Sequence, residues 1–477
     1  MSDDETAWAS PLVERYAGED MVRLFGPRAR ARAWREVWIA LAEAEQELGA
    51  PVAAEQVAAL RETADRIDLG RVAELEAVTR HDVMAHIKAW AEVCPAGAPV
   101  IHLGATSCFV TDNADALVQR RALDLVRDRL VRLARALRDL AEREAARPTL
   151  GYTHFQPAQP VTVGKRAALW LQDVLWDLDE VERRQAALPC RGAKGTTGTQ
   201  ASFLALFGGD AERVFRLDDL IAKKLGFPRS VPLSGQTTPR KLEAWLADAL
   251  AGVGITLGKL GRDVRLLCHT GELREAFRAG QVGSSAMPYK RNPMTAERIC
   301  SLARLTQHQR AALAETAAVQ WLERTLDDSA ARRLVIPDLF LTVDGILRAA
   351  TELVSGLTVD AAAVEARLAH EGPFLAVEAL LVRGVAAGGD RNELHEALRE
   401  HAVAARLEPD PGAAFRARVC ADPVFRVDPA ELDAMCAPSG LVGTAPLQVR
   451  RFLRDVADPR LARYAGAVDE RADPLQV

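Results

Sequence analysis

Residues 246–267, LADALAGVGITLGKLGRDVRLL, place an apolar side chain at every third or fourth position. The positions of this apolar seam are Leu246, Leu250, Val253, Leu257, Leu260, Val264 and Leu267. A period of 3.5 residues is typical of helices that pack side by side in a bundle. Thr238-Pro239 has the composition of a helix start. We therefore predict one helix from Pro239 to Phe277, roughly 60 Å long at 1.5 Å per residue.

Glycines interrupt this seam, at Gly252, Gly254, Gly258 and Gly261. Each costs about 1 kcal/mol relative to alanine in an exposed helix, and we expect close contact with another helix to offset the loss. A second seam between Ala114 and Arg147 has the same spacing, through Leu123, Val126, Leu130, Leu133, Leu137 and Leu140. Helices of this length exceed the core of one domain, so we predict an all-α bundle completed by other copies of the chain.

The composition excludes several classes of protein. Aromatic residues make up only 5% of the 477 residues and charged residues 27%, a balance that favours helices over a β-sandwich. The net charge of −5 has no basic block behind it, so we expect neither a nucleic-acid nor a membrane partner. With no signal-like start and no apolar run of about 20 residues, we predict a soluble, cytoplasmic protein. The seven scattered cysteines and the lack of an HExxH motif indicate reduced thiols and no tightly bound metal.

Residues 281–293, QVGSSAMPYKRNP, form a small-residue segment between two helical patterns. Its two serines add hydroxyl groups, and its lysine–arginine pair adds positive charge in a run without any acid. We predict Asn292 as the N-cap and Pro293 as the first residue of the next helix, so that free N–H groups point toward the serines. This arrangement would bind an anion. The alternative is a mobile surface loop that only joins two helices.

Four other polar segments interrupt the helical patterns. Residues 79–86, TRHDVMAH, contain His81, for which a solvated or capping role is the alternative to catalysis. Residues 101–107, IHLGATS, are read either as a functional turn or as an N-cap cluster. We interpret residues 149–160, TLGYTHFQPAQP, as a proline-punctuated turn between the long helices. Residues 191–200, RGAKGTTGTQ, lack the GKS/T ending of a P-loop, so we exclude nucleoside-triphosphate binding.

Residues 324–333, RTLDDSAARR, place Ser329 and Arg333 four positions apart, on one face of a helix that begins near Asp328. Together with Arg324, these side chains would clamp a phosphate or a carboxylate. The alternative is an Asp–Arg network at the surface. Beyond residue 359 the helical patterns become shorter, and we predict three domains: 1–110, 111–359 and 360–477.

Residues 284–292, SSAMPYKRN, match the SSxMPxKxN signature of the aspartase/fumarase superfamily of lyases, and the chain resembles that superfamily. Further segments resemble the branch that acts on succinylated purine nucleotides. They are 80–86 (RHDVMAH), 103–107 (LGATS), 153–159 (THFQPAQ), 194–200 (KGTTGTQ) and 323–329 (ERTLDDS). The resemblance covers the chain from about Ser10 and is weakest after about residue 400.

The resemblance implies a three-domain, all-helical subunit with a fumarase/aspartase-like fold. It also implies a homotetramer around a central helical bundle, with active sites shared between subunits and no cofactor or metal. The implied reaction is β-elimination of fumarate. The substrates are adenylosuccinate, which gives AMP, and the succinyl-carboxamide ribotide of purine synthesis (SAICAR), which gives AICAR.

The resemblance also assigns roles, residue by residue. Ser284 matches the general base, His154 the general acid and His81 a histidine that orients the substrate, while Lys290 stabilises the serine alkoxide. The residues expected to hold the phosphate are Arg15, Tyr16, Arg324, Ser329 and Arg333. Those expected to hold the succinyl and base portions are Thr106, Ser107, Gln236, Lys290, Asn292 and Arg298. Three more predicted substrate-binding residues are Arg80, Asp82 and Thr153.

Two competing interpretations are weaker. Another enzyme of the superfamily, such as argininosuccinate lyase or a carboxymuconate cycloisomerase, has a substrate without phosphate and would not need Arg324, Ser329 and Arg333. A catalytically silent scaffold, like the lens proteins derived from this superfamily, predicts loss of Ser284 or His154, and both are present. The sequence therefore favours a lyase that acts on purine nucleotides.

Overall fold

The structure is a computed structural model that describes residues 8–278, 280–466 and 468. Its helices and strands follow one another as α1 (Glu19–Leu24), α2 (Pro27–Glu47), α3 (Ala54–Glu62), α4 (Leu69–Thr79), α5 (Asp82–Val93), α6 (Ser107–Arg143), β1 (Pro148–Thr153), β2 (Gln156–Thr162), α7 (Val163–Ala187), α8 (Ala201–Leu206), α9 (Ala211–Lys224), α10 (Lys241–His269), β3 (Leu273–Arg274), α11 (Met294–Ala318), α12 (Asp327–Gly356), β4 (Thr358–Val359), α13 (Ala361–Glu371), α14 (Val377–Ala386), α15 (Arg391–Ala405), α16 (Pro411–Ala421), α17 (Pro429–Met435), α18 (Pro438–Leu441), α19 (Ala445–Phe452) and α20 (Asp458–Ala462). No helix in this described part is both long and apolar enough to cross a membrane.

The two predicted seams form the centre of a bundle of α6, α7, α10, α11 and α12. Every seam side chain is buried, and the most exposed of them, Leu246, has 5% of its surface accessible. They share one continuous hydrophobic core with the inward faces of the other three helices. The prediction of two long bundle helices is therefore confirmed.

The seam glycines allow helix α11 to lie close to α10. A β-carbon built on Gly254 would come within 2.2 Å of Thr306 Oγ1, and one on Gly261 within 3.0 Å of Cys300 Sγ. A β-carbon on Gly258 would also meet Ala303 at 3.1 Å, tighter than ordinary contact. Close packing thus offsets the low helix propensity of these glycines, as expected.

The predicted end of the seam helix at Phe277 is wrong. Helix α10 stops at His269, so it spans roughly 44 Å at 1.5 Å per residue. Gly271 follows with φ of +81°, a left-handed conformation that favours glycine and breaks the helix. The chain then turns into β3, which pairs with β4 through Leu273 and Val359.

The segment interpreted as a turn at residues 149–160 is a β-hairpin. Strands β1 and β2 pair in an antiparallel register from Pro148 and Thr162 down to Thr153 and Gln156, with an irregularity between Leu150 and Tyr152. Proline is tolerated in β2 because a two-stranded ribbon has an unpaired outer edge. The all-α class holds for the molecule as a whole, with this hairpin as a short exception.

Among the smaller hydrophobic cores beside the bundle, two are the largest. The first joins α2, α3 and α5 to the start of α6 and to residues between 188 and 227, around Trp34, Trp38 and Trp90. The second, around Phe415, joins helices α14 to α17. The end of the described chain, from Val449 onward, returns to the bundle core. The domain boundaries at residues 110 and 359 stay a prediction.

One buried carboxyl group makes the stability of this fold depend on pH. Glu45 on α2 is fully buried, neither side-chain oxygen has a hydrogen-bond partner, and burial raises its pKa to about 9. Because the folded pKa exceeds the ordinary value of 4.5, its contribution to stability is full below pH 4.5 and is lost as the pH rises toward 9. We expect Glu45→Gln to stabilise the protein increasingly over this range, by about 1–2 kcal/mol at pH 8, measured by urea unfolding.

The matched control is Glu47→Gln on the same helix, where the half-exposed side chain pairs with Lys224. This change is expected to alter stability by less than about 1 kcal/mol at any pH. If Glu45→Gln changes the free energy of unfolding by the same amount at pH 5 and pH 8, Glu45 is not buried as a neutral carboxyl group.

Candidate active site

A cavity of about 430 Å³ lies between α5, the start of α6, the start of α10 and the start of α12. The predicted site residues that line it are His81, Asp82, Ser107, Gln236, Arg324, Ser329 and Arg333. They come from four separate segments of the sequence, and the fold brings them to one place. This cavity is the main candidate for substrate binding in the described part of the chain.

His81 caps a helix and also lines the cavity, while its catalytic role stays a prediction. It is the N-cap of α5, where its Nδ1 accepts a hydrogen bond from the N–H of Met84 at 3.3 Å. An acceptor at Nδ1 places the proton of a neutral imidazole on Nε2, which lies 3.4 Å from Ser107 Oγ at the cavity wall. Capping the helix therefore also fixes the tautomer and aims an N–H donor into the cavity.

The predicted phosphate clamp lies at the start of α12. This helix begins at Asp327, so Ser329 is in its first turn and Arg333 is one turn further on. The Arg333 guanidinium donates to Asp82 Oδ2 on α5 at 2.8 Å, and the half-buried Arg324 points its Nη1 at Cys108 Sγ, 2.6 Å away. The acidic partner of Arg333 thus comes from another helix. Both guanidinium groups face the cavity.

A buried ion network forms the floor of the cavity, and the sequence interpretation did not predict it. Arg240 donates from Nε to Asp328 Oδ2 at 2.7 Å and from Nη1 to Asp112 Oδ2 at 3.2 Å. Next to it, Arg332 donates to the Glu243 carboxylate at 2.6 Å. All five side chains are at most 7% exposed. The network joins α6, α10 and α12 directly beneath the clamp.

Electrostatics favours the charged forms of Asp112 and Arg332. Burial raises the pKa of Asp112, but the guanidinium groups of Arg240 and Arg332 and the Thr238 N–H outweigh burial and hold that pKa below its ordinary value. Burial lowers the pKa of Arg332, and its contacts with Glu243 more than reverse this effect.

The sequence did contain a signal for this network. Glu243 lies three positions before Leu246, and Arg240 lies three positions before Glu243, so both continue the spacing of the buried seam. Asp112 continues the other seam in the same way, eleven positions before Leu123. A charged residue on a buried stripe must find a partner of opposite charge inside the protein. Extending the two seams by roughly two to three turns toward their N-termini would have indicated Asp112, Arg240 and Glu243.

Ser284 lies on a loop outside the cavity that closes on itself. Its Oγ accepts from the N–H groups of Ala286 and Met287 at 3.3 and 3.1 Å. The two ends of the loop are joined by a hydrogen bond from Asn292 Nδ2 to the Gly283 carbonyl at 2.9 Å. They lie so close that a β-carbon on Gly283 would be 2.2 Å from the Lys290 carbonyl. The loop thus presents a hydroxyl group held by two N–H donors.

The prediction for the helix after this loop is wrong in its detail. Helix α11 begins at Met294, and the structure assigns its N-cap to Pro293. Its free N–H groups do not point toward the serines, because the Glu275 carboxylate accepts from Thr295 and Ala296 at 3.1 and 2.9 Å. Asn292 instead ties the loop together. The helix start therefore supplies no free anion site to Ser284.

His154 is at the tip of the β1–β2 hairpin, away from both the cavity and the loop. His154 and Phe155 are both exposed and both left-handed, with φ of 53° and 56°. A two-residue hairpin turn requires this conformation and usually contains glycine or asparagine. Thr153, the predicted neighbour, is also exposed at the tip. Histidine therefore occupies a position that local preference does not favour.

The remaining predicted residues are not among those that line the cavity. Arg15 and Tyr16 are in a short helical turn, Leu12–Tyr16, whose last carbonyl accepts from Arg348 on α12 at 2.7 Å. Thr106 comes just before Ser107, and its buried Oγ1 has no hydrogen-bond partner. Arg80 is exposed and left-handed between α4 and α5, and Arg298 is half-buried on α11.

The glycine- and threonine-rich run at residues 191–200 supports the cavity wall. The Lys194 ammonium group pairs with the buried Asp218 carboxylate and is not available to a phosphate. Gln236 Nε2 donates to the Thr196 carbonyl at 2.9 Å, which ties this run to a cavity residue. This arrangement agrees with the exclusion of nucleoside-triphosphate binding.

Comparison with protein families gives two matches. Residues 17–305 match the family described as lyase, and residues 373–452 match the family described as adenylosuccinate lyase C-terminus. The adenylosuccinate lyase of Saccharomyces cerevisiae is 44% identical over 480 residues, which cover 99% of this chain and 100% of that protein. The adenylosuccinate lyase of Schistosoma mansoni is 42% identical over 470 residues, 97% of each chain.

Solved structures confirm the predicted fumarase/aspartase-like fold. The 3-carboxy-cis,cis-muconate lactonizing enzyme from Pseudomonas putida superposes with a TM-score of 0.81 at 28% identity, covering 96% of this chain and 100% of that one. The fumarate lyase from Mesorhizobium sp. BNC1 superposes with a TM-score of 0.80 at 22% identity, covering 96% of this chain and 99% of that one. At this identity the likeness shows the fold alone. With relatives above 40% identity along its whole length, this chain belongs to the adenylosuccinate lyase family.

Proposed function

We propose that this lyase eliminates fumarate from adenylosuccinate, giving AMP, and from SAICAR, giving AICAR. The observation that carries the proposal is the cavity at the start of α12, where Arg324, Ser329 and Arg333 face the same space as His81. Two guanidinium groups and a hydroxyl group suit a nucleotide phosphate. The family relationship points to the same substrates.

In the first step, we propose that Ser284 Oγ, as an alkoxide, removes the proton from the carbon beside a succinyl carboxylate. The electron pair of that C–H bond moves onto the carboxylate, which becomes a doubly charged aci-carboxylate. A neutral hydroxyl group is too weak a base for this step, so the serine must first lose its own proton and act as the alkoxide. The two N–H groups on Ser284 Oγ support the alkoxide, and we propose that the Lys290 ammonium group of the same loop adds positive charge.

In the second step, the electron pair forms the carbon–carbon double bond of fumarate and the carbon–nitrogen bond breaks. We propose that the imidazolium of His154 gives its proton to the departing nitrogen. The proton taken by Ser284 and the proton lost by His154 return through solvent after the products leave. His81 Nε2–H, fixed by the cap at Nδ1, is suited to hold the substrate through a hydrogen bond.

Within one chain the three parts of this site lie apart, which supports a shared active site. Neither His154 nor Ser284 is among the residues that line the cavity at the start of α12. Exposed apolar side chains on the bundle helices, such as Trp176 at 61% and Ile255 at 63%, provide surfaces for other subunits. We propose a homotetramer in which each site is assembled from several chains. The predicted cytoplasmic location stays a prediction.

The first test is an activity assay with a clamp variant. We expect the purified protein, without added metal, to convert adenylosuccinate to AMP with the accompanying ultraviolet change. Arg333→Met should raise KM for adenylosuccinate by about 10- to 100-fold, since a charge-assisted hydrogen bond is worth about 1.5–3 kcal/mol. Succinyladenosine, which lacks the phosphate, should be turned over equally poorly by both proteins.

The matched control is Arg399→Met, which removes an exposed guanidinium that pairs with Glu396 on α15. Its KM for adenylosuccinate should equal that of the unmodified protein. Turnover of argininosuccinate without turnover of either succinylated nucleotide would overturn the proposed function. An unchanged KM in Arg333→Met would overturn the phosphate clamp alone.

A further inference from the structure

Glu272 is a buried carboxylate that accepts hydrogen bonds from three hydroxyl groups. It lies in the turn between α10 and β3 with 1% of its surface exposed. Its Oε2 accepts from Thr149 Oγ1 at 2.7 Å, and its Oε1 accepts from Thr270 Oγ1 at 3.0 Å and from the Tyr152 hydroxyl group. Two of the three donors are on β1, the strand that leads to His154.

The tip of the hairpin has an unfavourable backbone conformation, which the hydrogen bonds to Glu272 help to maintain. A left-handed conformation costs roughly 1–2 kcal/mol for each residue other than glycine, and His154 and Phe155 both adopt it. The strand pairing is irregular between Leu150 and Tyr152, where a β-carbon on Gly151 would lie 2.3 Å from the Gln159 carbonyl. Pairing resumes at Tyr152 and Thr153, so the ladder that leads to the tip is interrupted by this irregularity.

Tyr152 links the carboxylate to the tip. Its hydroxyl group is bound to Glu272, and its ring packs on Phe155 with 5.6 Å between the ring centroids. Burial, followed by the hydrogen bond and charge of Glu272, raises the pKa of Tyr152 to about 12, so the hydroxyl group remains a donor at neutral pH. Phe155 is the direct neighbour of His154 in the turn. A shift of the Tyr152 ring would therefore move the imidazole.

Glu272 is itself held by the bundle. Its backbone carbonyl accepts from the Asp360 N–H at 3.0 Å, and the next residue, Leu273, pairs with Val359 in the β3–β4 ribbon. On the other side, Arg166 of α7 donates to the Leu150 carbonyl of β1 at 3.0 Å. The hairpin is thus attached to rigid helices through its base and through Glu272.

We propose that Glu272 is a positioning residue for His154. Its carboxylate holds β1 through Thr149 and Tyr152, so that the imidazole at the tip meets the substrate in one orientation. Glu272 itself touches no reacting atom. The inference rests on the proposed role of His154 as the general acid.

The first test compares two tyrosines whose hydroxyl groups each donate a hydrogen bond to a glutamate carboxylate, one beside the hairpin and one far from it. Tyr152→Phe should lower kcat about 10- to 100-fold with KM within about twofold, because a small displacement of a catalytic group has an effect of this size. Tyr464→Phe is the matched control, since the Tyr464 hydroxyl group donates to the Glu182 carboxylate near the C-terminus of the described chain. It should leave kcat unchanged.

The second test uses Thr149, where the hydroxyl group can be removed or kept. Thr149→Val removes the donor to Glu272 with little change in shape and should lower kcat. Thr149→Ser keeps the donor and should restore kcat to near the original value. A purely structural role of this site would lower the urea midpoint of both Thr149→Val and Tyr152→Phe and leave kcat of the folded enzyme unchanged.

The outcomes separate this inference from the proposed function. If His154→Ala is inactive while Tyr152→Phe and Thr149→Val keep the original kcat, the positioning role of Glu272 is overturned and the general acid stands. If Tyr464→Phe loses as much activity as Tyr152→Phe, the positioning role is also overturned. If His154→Ala keeps the original kcat, the acid role fails, and the role of Glu272 fails with it.

Discussion

Ser284→Ala is expected to lower kcat about a thousandfold while the oligomer and the fold remain intact, because a positioned acid or base contributes about 10²–10⁴ to the rate. Ser284 Oγ accepts two N–H hydrogen bonds within its loop, which is how the loop supports an alkoxide. The loop is still closed by Asn292 in the variant. The measurement is steady-state kcat with adenylosuccinate, together with the urea midpoint.

The neighbouring serine provides the matched control. Ser285 is exposed in the same loop, and no hydrogen bond of its hydroxyl group appears among the described residues. Ser285→Ala should therefore change kcat by less than about tenfold, well below the loss expected for a base. If Ser284→Ala keeps near-original kcat, or if Ser285→Ala loses as much, the assignment of Ser284 as the base is wrong.

Because the proposed site is shared between chains, two inactive variants should complement each other. Mixing Ser284→Ala with His154→Ala under conditions of subunit exchange should restore part of the activity. In some hybrid tetramers one site receives an intact Ser284 loop from one chain and an intact His154 hairpin from another. Each variant incubated alone is the control. Failure to recover activity despite confirmed exchange would contradict shared sites.

Arg240→Met is expected to destabilise the protein by about 3–5 kcal/mol, since removing one partner of a buried ion network leaves uncompensated charge. Arg240 is 3% exposed and contacts Asp112 and Asp328, which are 3% and 1% exposed. Methionine fills similar volume but offers no donor to either carboxylate. The measurement is the free energy of unfolding in urea at pH 7.

Two comparisons sharpen this prediction. Arg399→Met breaks an exposed Arg–Glu pair and should cost less than about 1 kcal/mol. The deficit of Arg240→Met should shrink as the pH falls below the ordinary aspartate pKa of 3.8, because the folded protein holds the pKa of Asp112 below that value and loses this contribution as the pH falls through the folded pKa. Equal unfolding free energies for Arg240→Met and the unmodified protein at pH 7 would contradict a stabilising network.

The sequence by itself determined the long helices and the family. A 3.5-residue apolar period leaves little choice of structure, since only a helix places all those side chains on one stripe, and both seams are buried. The glycines within the α10 seam also predicted that another helix lies close to α10, as α11 does. The residues 284–292 motif identified the superfamily because its residue types and spacing are specific. The contacts of the individual site residues with substrate stay predictions.

Tertiary contacts decided what local patterns could not. Asn292 has the composition of a helix cap, but Glu275, which lies 20 and 21 positions before Thr295 and Ala296, takes those N–H groups. The residues 149–160 segment has the composition of a turn, yet Glu272 and the bundle hold it as a hairpin with His154 in a strained position. Partners this distant in the sequence leave no local signal at either end of the contact.

The position of the site was also decided by the fold alone. Four separated segments with predicted site residues meet in the cavity at the start of α12, while the Ser284 loop and the His154 hairpin lie elsewhere on the same chain. The sequence contained every one of these residues, but periodicity reports only which face of a helix is buried. Which faces and loops meet depends on how the helices pack, and packing is set by the whole core at once.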